Sequence, residues 1–195
     1  SWGFRVNDVA VALRVPGRHM VENALAALAV AGALGAPLDA AAKALSKTES
    51  AERRMRSVAV VDVLILDDAY NANPTSMKAA LTTLSTLEGR HIAVLGGMHE
   101  LGERSAELHR EVGRFAAEHS IIVIAVGELG RHIGEGYREV SGAGAFEVPT
   151  HGAAFEWLRE NVSGGDAVLV KGSRSEKMEV VVDALFTYLK STFTG

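Results

Sequence analysis

The stretch VLILDDAYNANPTSM, residues 63–77, decides how this chain is read. Four strand-forming residues end in two acids, an aromatic and two asparagines, and Pro74 then stands where a helix would open. A near-continuous Val/Leu/Ile run suits a strand buried on both faces, as in a parallel sheet. Two carboxylates at the end of such a strand need a purpose.

Working outward, the same grammar repeats. Strand-like runs fall at 58–67 (VAVVDVLILD), 91–97 (HIAVLGG), 121–127 (IIVIAVG), 145–148 (AFEV) and 167–172 (AVLVKG). Helical periodicity fills the intervals 75–87, 104–119, 129–139, 151–161 and 175–190. Alternation of this kind predicts an α/β fold, a Rossmann-like doubly wound and mostly parallel sheet with helices on both faces, over residues 53–195. Ligands in such sheets bind at the carboxyl ends of the strands. Asp67 and Asp68 stand there, and the segments GGMHELG (96–102) and KGSRS (171–175) should gather beside them.

Residues 1–52 read differently. FRVNDVAVALRV is two short alternating runs about Asn7-Asp8, a hairpin. An alanine-rich stretch over 18–34 reads as a buried helix, a second helix covers PLDAAAKAL with Pro37 in its first turn, and the polar residues 46–53 read as a linker. A chain that opens inside a sheet, without methionine, is expected to be a piece of something longer.

Composition narrows the function classes. The chain has 195 residues, is 48% hydrophobic and carries a net charge of −4, which does not suit a nucleic-acid binder. No apolar run reaches the roughly 18–20 residues that span a bilayer. Residues 1–15 lack the charged start and apolar block of a signal peptide. Zero cysteines exclude disulfides and thiolate metal sites. A soluble cytoplasmic protein is the expectation.

Three stretches carry candidate chemistry. In DDAYNANP, Asn73 is placed to cap the helix that Pro74 opens. Capping leaves Asp68, Tyr70 and Asn71 unexplained; a carboxylate there can take ribose hydroxyls, an aromatic a base, an amide either. In KGSRSEKME, Ser173 and Glu176 fit a capping box, while Lys171 and Arg174 set two cations at a helix N-terminus, suited to a carboxylate or phosphate. In GRHMVENAL, His19 and Asn23 share a helix face, and a buried Asn23 amide needs a partner. Gly97 and Gly102 bracket four residues, but Glu103-Arg104 follow where a triphosphate loop needs Lys and Ser/Thr. The histidines show no metal-ligand spacing.

Taken together, VPGRH…ENALAALAVAGALG, ERRM, DDAYNANPTSM, LGGMHELGERSAELH and VLVKGSRS…ME resemble the Mur ligases, over essentially the whole chain. DDAYNANPTSM resembles the branch that joins D-Ala-D-Ala to UDP-N-acetylmuramoyl-tripeptide; sister branches look like DYAHTP or NDSKATN here. The resemblance implies that residues 1–52 are the tail of a central ATPase domain and 53–195 the C-terminal Rossmann-like domain. It implies ATP and Mg2+ as cofactors, with the magnesium ligands mostly outside these residues. It further implies an acyl-phosphate route to the amide bond, a monomer, and no nucleic-acid or membrane partner.

By the same resemblance Asn23, Arg54, Asp68, Tyr70, Asn71 and Asn73 would face the nucleotide, and Ser173, Arg174 and Lys171 the incoming dipeptide. No residue is assigned a catalytic role. Met20 and Gly97 depart from the family pattern, which usually has asparagine at the first and an acid at the second. With no GxxxxGK[ST] in the chain, it should not turn over ATP alone. A stand-alone Rossmann-like module for a nucleotide or dipeptide is the other open reading.

Overall fold

A computed structural model describes residues 2–14, 17–48, 53–142 and 145–193; the side chains of Trp2, His19 and Phe193 lie outside that description, as do residues 49–52 of the expected linker. The chain divides into two compact units, residues 1–51 and 52–195.

In the first unit, β1 (Trp2–Val6) and β2 (Val9–Leu13) form an antiparallel hairpin, Val6 opposite Val9 across the two-residue turn at Asn7-Asp8. Asn7 takes a left-handed φ of 50°, which asparagine tolerates. Helices α1 (Arg18–Ala33) and α2 (Leu38–Leu45) pack on it through Val11, Leu13, Ala24, Leu28 and Ala42. Pro37 is the residue just before α2 rather than within its first turn. The helix expected to be buried over 18–34 is not: only Ala24 and Leu28 of α1 are buried, while Leu25 and Val30, and Leu34 just after the helix, are exposed. Ala24 and Leu28, with Met20 and Val21 partly buried beside them, seat the helix, and most of its alanines face outward within this unit.

The second unit contains a six-stranded sheet in the order β3-β4-β8-β5-β6-β7. Its strands are β3 (Arg56–Val60), β4 (Val63–Asp68), β5 (His91–Leu95), β6 (Ile122–Val126), β7 (Phe146–Val148) and β8 (Ala167–Lys171). All neighbours are parallel except β3, which pairs antiparallel with β4. The single long strand expected at 58–67 is therefore a hairpin, with Val60 opposite Val63. The turn puts Val61 at φ 55°, a conformation unusual for a β-branched residue, and nothing in its local sequence advertised it.

The helices are α3 (Pro74–Ser85), α4 (Ser105–Glu118), α5 (Gly127–Ser141), α6 (His151–Asn161) and α7 (Glu179–Phe193). Ile65, Ile92, Val94, Ile124, Val168 and Val170 cover one sheet face, where Ala154 and Leu158 of α6 and Val181 and Leu185 of α7 pack. Helices α3, α4 and α5 cover the other. The final helix starts later than expected: residues 174–176 form a 3-10 turn, Lys177 turns left-handed at φ 50°, and α7 begins at Glu179.

Candidate functional site

Strand geometry answers the question of the paired acids. Side chains alternate across a strand, so Val63, Ile65 and Asp67 face one side and Leu64, Leu66 and Asp68 the other. Each acid meets its own cation. Asp67, 2% exposed, pairs with Arg53 at 3.3 Å and accepts from the Ala69 N–H; Arg53 continues to Asp183 of α7 at 3.0 Å. Burial holds the Asp67 carboxyl above its ordinary range, against the pull of the Ala69 N–H and the Arg53 charge.

On the opposite side Lys171 lies in register with Asp68 and donates to its Oδ2 at 2.5 Å and to the Asn71 carbonyl at 2.9 Å. Asp68 Oδ1 accepts from the Met55 N–H at 2.8 Å. Lys171 is only 2% exposed, so it is not the free anion-binding cation expected beside Arg174. An ammonium buried this deeply is held by its counter-charge. Asp68 is 14% exposed and keeps lone pairs for a further donor.

These bonds shape the segment before β3. Arg53 and Met55 both adopt left-handed backbone, φ 55° and 52°, at a cost of about 1–3 kcal/mol each. The strained turn is fastened at both ends to the close of β4: the Tyr70 N–H donates to the Arg53 carbonyl at 3.0 Å, and Met55 donates to Asp68. Arg54, held between them, lies 4.2 Å from the centre of the Tyr70 ring. Arg174 approaches the same ring at 5.9 Å. Tyr70 is 40% exposed, which leaves this arginine–tyrosine–arginine group open to solvent at the carboxyl ends of β4 and β8. Glu179 faces Arg174 at 3.4 Å through one oxygen; its other oxygen is buried without a hydrogen-bond partner among the described residues.

The remaining predicted residues divide. Asn71 is exposed; its Oδ1 accepts from the Ala72 N–H at 2.9 Å, and its amide nitrogen has no described partner. Asn73 is committed to α3 by a reciprocal cap with Ser76: Ser76 N–H to Asn73 Oδ1 at 2.8 Å, Asn73 N–H to Ser76 Oγ at 3.1 Å. Ser173, 5% exposed, does not cap a helix. Its Oγ accepts from the His99 N–H at 3.0 Å and its own N–H donates to the Gly97 carbonyl at 2.9 Å. The capping box expected of Ser173 and Glu176 is thus corrected, because Glu176 turns its carboxylate to the His99 ring instead. Asn23 belongs to the first unit, where it is exposed on α1 with its amide 3.9 Å from Met20 Sδ; water can satisfy it.

The segments GGMHELG and KGSRS do come together. Gly96 donates to the Lys171 carbonyl, Ser173 to that of Gly97, and the Met98 N–H reaches His109 Nε2 at 2.8 Å. That last bond fixes the histidine: Nε2 accepts, so Nδ1 carries the proton and donates to the Ser105 carbonyl at 2.7 Å. Burial pushes the His109 pKa down, since a second ring proton would face an N–H donor with no water to help. His109 is a support that the sequence reading missed. Its signal was its place on the buried stripe of α4, with Val112, Gly113 and Ala116. Among the described residues no group of three or more His, Asp or Glu could hold a metal ion.

A family profile described as "Mur ligase, glutamate ligase domain" matches residues 53–174. The chain belongs to the Mur ligase family. It is 36% identical over 189 residues to the UDP-N-acetylmuramoyl-tripeptide–D-alanyl-D-alanine ligase of Bacillus subtilis, covering 93% of this chain and 41% of that protein. The Escherichia coli ligase of the same name is 38% identical, with 91% and 39% covered. Among solved structures, Acinetobacter baumannii MurF superposes with a TM-score of 0.81 at 33% identity, covering 92% of this chain and 40% of that one. A Thermotoga maritima MurF in complex with ADP gives 0.82 at 27% identity, covering 94% and 42%. This Mur ligase chain therefore spans about two fifths of the length of the curated relatives it matches.

Proposed function

We propose that this chain supplies one face of the active site of an ATP-dependent amide-bond ligase that adds D-Ala-D-Ala to UDP-N-acetylmuramoyl-tripeptide in peptidoglycan precursor synthesis. Residues 1–52 are read as the tail of the central ATPase domain and 53–195 as the C-terminal domain. The observation that carries the reading is the convergence of Arg54 and Arg174 on the exposed Tyr70 ring at the strand ends. Two guanidiniums and an aromatic face suit an anionic, ring-bearing ligand such as a nucleotide, and one structural relative was solved in complex with ADP.

When bound, ATP supplies the phosphoryl group that makes a carboxylate electrophilic. The chain's own groups orient it: Tyr70 and Asn71 offer a ring and an amide, Arg54 and Arg174 offset phosphate or carboxylate charge, and Asp68 keeps an edge for a hydroxyl. Ser173 and Lys171 act from beneath, holding the loops. Among the described residues no group of three or more His, Asp or Glu could hold a metal ion, so magnesium would be held mostly by parts of the enzyme outside these residues. Chemistry on UDP-linked precursors with ATP fits the cytoplasm, and the chain's net charge of −4 does not suit a nucleic-acid partner; the enzyme is read as a monomer.

The test is a titration of the isotope-labelled chain with ADP and, separately, D-Ala-D-Ala. Shifts should concentrate at Arg54, Tyr70, Asn71 and Arg174, and Tyr70→Ala should abolish the ADP set. Shifts confined to other surfaces, or an unchanged response in Tyr70→Ala, would overturn the assignment.

A further inference from the structure

The carboxylate of Glu176 stands apart from the arginine–tyrosine–arginine group. It leaves the 3-10 turn after β8 and lies across the glycines that end three neighbouring strands. Its Oε1 accepts from His99 Nε2 at 2.5 Å, and the same oxygen is 3.1 Å from where a Cβ on Gly97 would sit. Its Oε2 is 3.8 Å from the corresponding point on Gly127, and its Cβ is 3.4 Å from that on Gly96. Its backbone carbonyl is tied from the other side by His151 Nε2 at 2.7 Å. Position 97 is thus closed to any side chain while Glu176 and Leu129 stand as they do: Leu129 Cβ and Cδ1 would each be 2.8 Å from the new atom.

We propose that Glu176 is a positioning residue, delivering from the 172–178 turn a carboxylate into the place that a side chain at position 97 would otherwise fill. By gripping His99 it locks that turn to the loop after β5. Three contacts then bind the two segments: Glu176 to the His99 ring, the Ser173 hydroxyl to the His99 N–H, and the Ser173 N–H to the Gly97 carbonyl. Arg174 sits inside the locked turn, two residues from Glu176, so the lock sets where its guanidinium meets Tyr70. The glycine at 97 and the glutamate at 176 fit one another: a bare backbone at 97 leaves the room in which the Glu176 carboxylate lies. This inference rests on the reading of the Arg54–Tyr70–Arg174 face as the ligand side, and its test uses no ligand, so the two can fail separately.

The experiment is amide hydrogen exchange and NMR on the whole chain. Glu176→Ala should speed exchange of the His99 and Ser173 amides about tenfold, the size expected when one charge-assisted bond of about 1.4 kcal/mol is lost. It should also move the Tyr70 ring resonances in the direction that Arg174→Ala moves them, a change that lost stability alone would not produce. Glu176→Gln, which keeps the acceptor, should stay close to the parent on both. Unchanged amides, or an undisturbed Tyr70 ring, overturn the proposal.

A second arm uses Gly97→Asp in the parent and in Glu176→Ala. The Leu129 contact is common to both backgrounds and cancels, so the substitution should raise the unfolding constant at least several-fold less when Glu176 is absent. Equal effects overturn the claim that Glu176 occupies the room beside Gly97. If Gly97→Asp folds in neither background, the amide and ring measurements decide.

Discussion

Removing the Lys171 ammonium while keeping its length and shape probes the buried pair beneath the site. In Lys171→Met, the Asp68 carboxylate keeps only the Met55 N–H, and the Asn71 carbonyl loses its donor. Breaking a buried ion pair from one side typically costs about 3–5 kcal/mol, because the surviving charge is left uncompensated. Asp68 retains 14% exposure and one backbone donor, which favours the lower end, about 3 kcal/mol. In urea, with a slope of about 2 kcal/mol per M for a unit of this size, the midpoint should fall by about 1.5 M.

Unfolding is followed by fluorescence in a Trp2→Phe background, so that Trp157 of α6 reports the second unit alone. Adding Asp68→Asn to Lys171→Met should recover part of the loss, since the double variant buries no lone charge and the Met55 N–H keeps an acceptor in the amide oxygen. Coupling of about 1–3 kcal/mol is expected. A midpoint shift under about 0.5 M (about 1 kcal/mol at that slope), or a double variant equal to the sum of its singles, would refute the pairing as the reason Lys171 is buried.

Other outcomes follow from single contacts. In Gly113→Ala the new Cβ would stand 1.9 Å from the Ile133 carbonyl oxygen, where α4 and α5 cross at backbone distance; calorimetry should show a loss of about 3 kcal/mol or more, and a near-neutral change would contradict that crossing. The folded pKa of His109 lies below its ordinary 6.5, so the unfolded chain takes up this proton first. Its contribution is complete above that value and is lost as pH falls through it, by up to about 1.4 kcal/mol per pH unit. Urea midpoints between pH 7 and 5 should therefore fall more steeply for the parent than for His109→Gln, and parallel curves would refute the cause. With no GxxxxGK[ST] in its 195 residues, the chain given ATP and D-Ala-D-Ala should release phosphate only at the background rate, as a coupled assay would show.

The sheet was legible because its signal is local. Runs such as IVIAV and AVLVK are apolar on both faces, and only a strand covered on both sides tolerates that. The hairpin at Asn7-Asp8 and the cap at Asn73 were legible for the same reason, each set by a few consecutive residues. The hairpin at Val61-Asp62 was not, since a valine in left-handed backbone is imposed by the pairing of its flanks. Glu176 likewise reads as a capping residue until His99, far away in sequence, draws it off.

What the sequence determined by itself was the alternation of strands and helices apart from the β3–β4 hairpin, the family, and the location of polar side chains at one strand's end. Periodicity and turn chemistry act over a few residues, so they survive without coordinates. Only the tertiary structure decided which of those polar groups are structural and which face outward. Asp67 and Asp68 are neighbours in the chain but partners of different cations, on opposite sides of the sheet. Lys171 is interior and Arg174 exterior, though two residues separate them. Burial and charge pairing depend on what the fold brings across from other strands, and no local pattern records that.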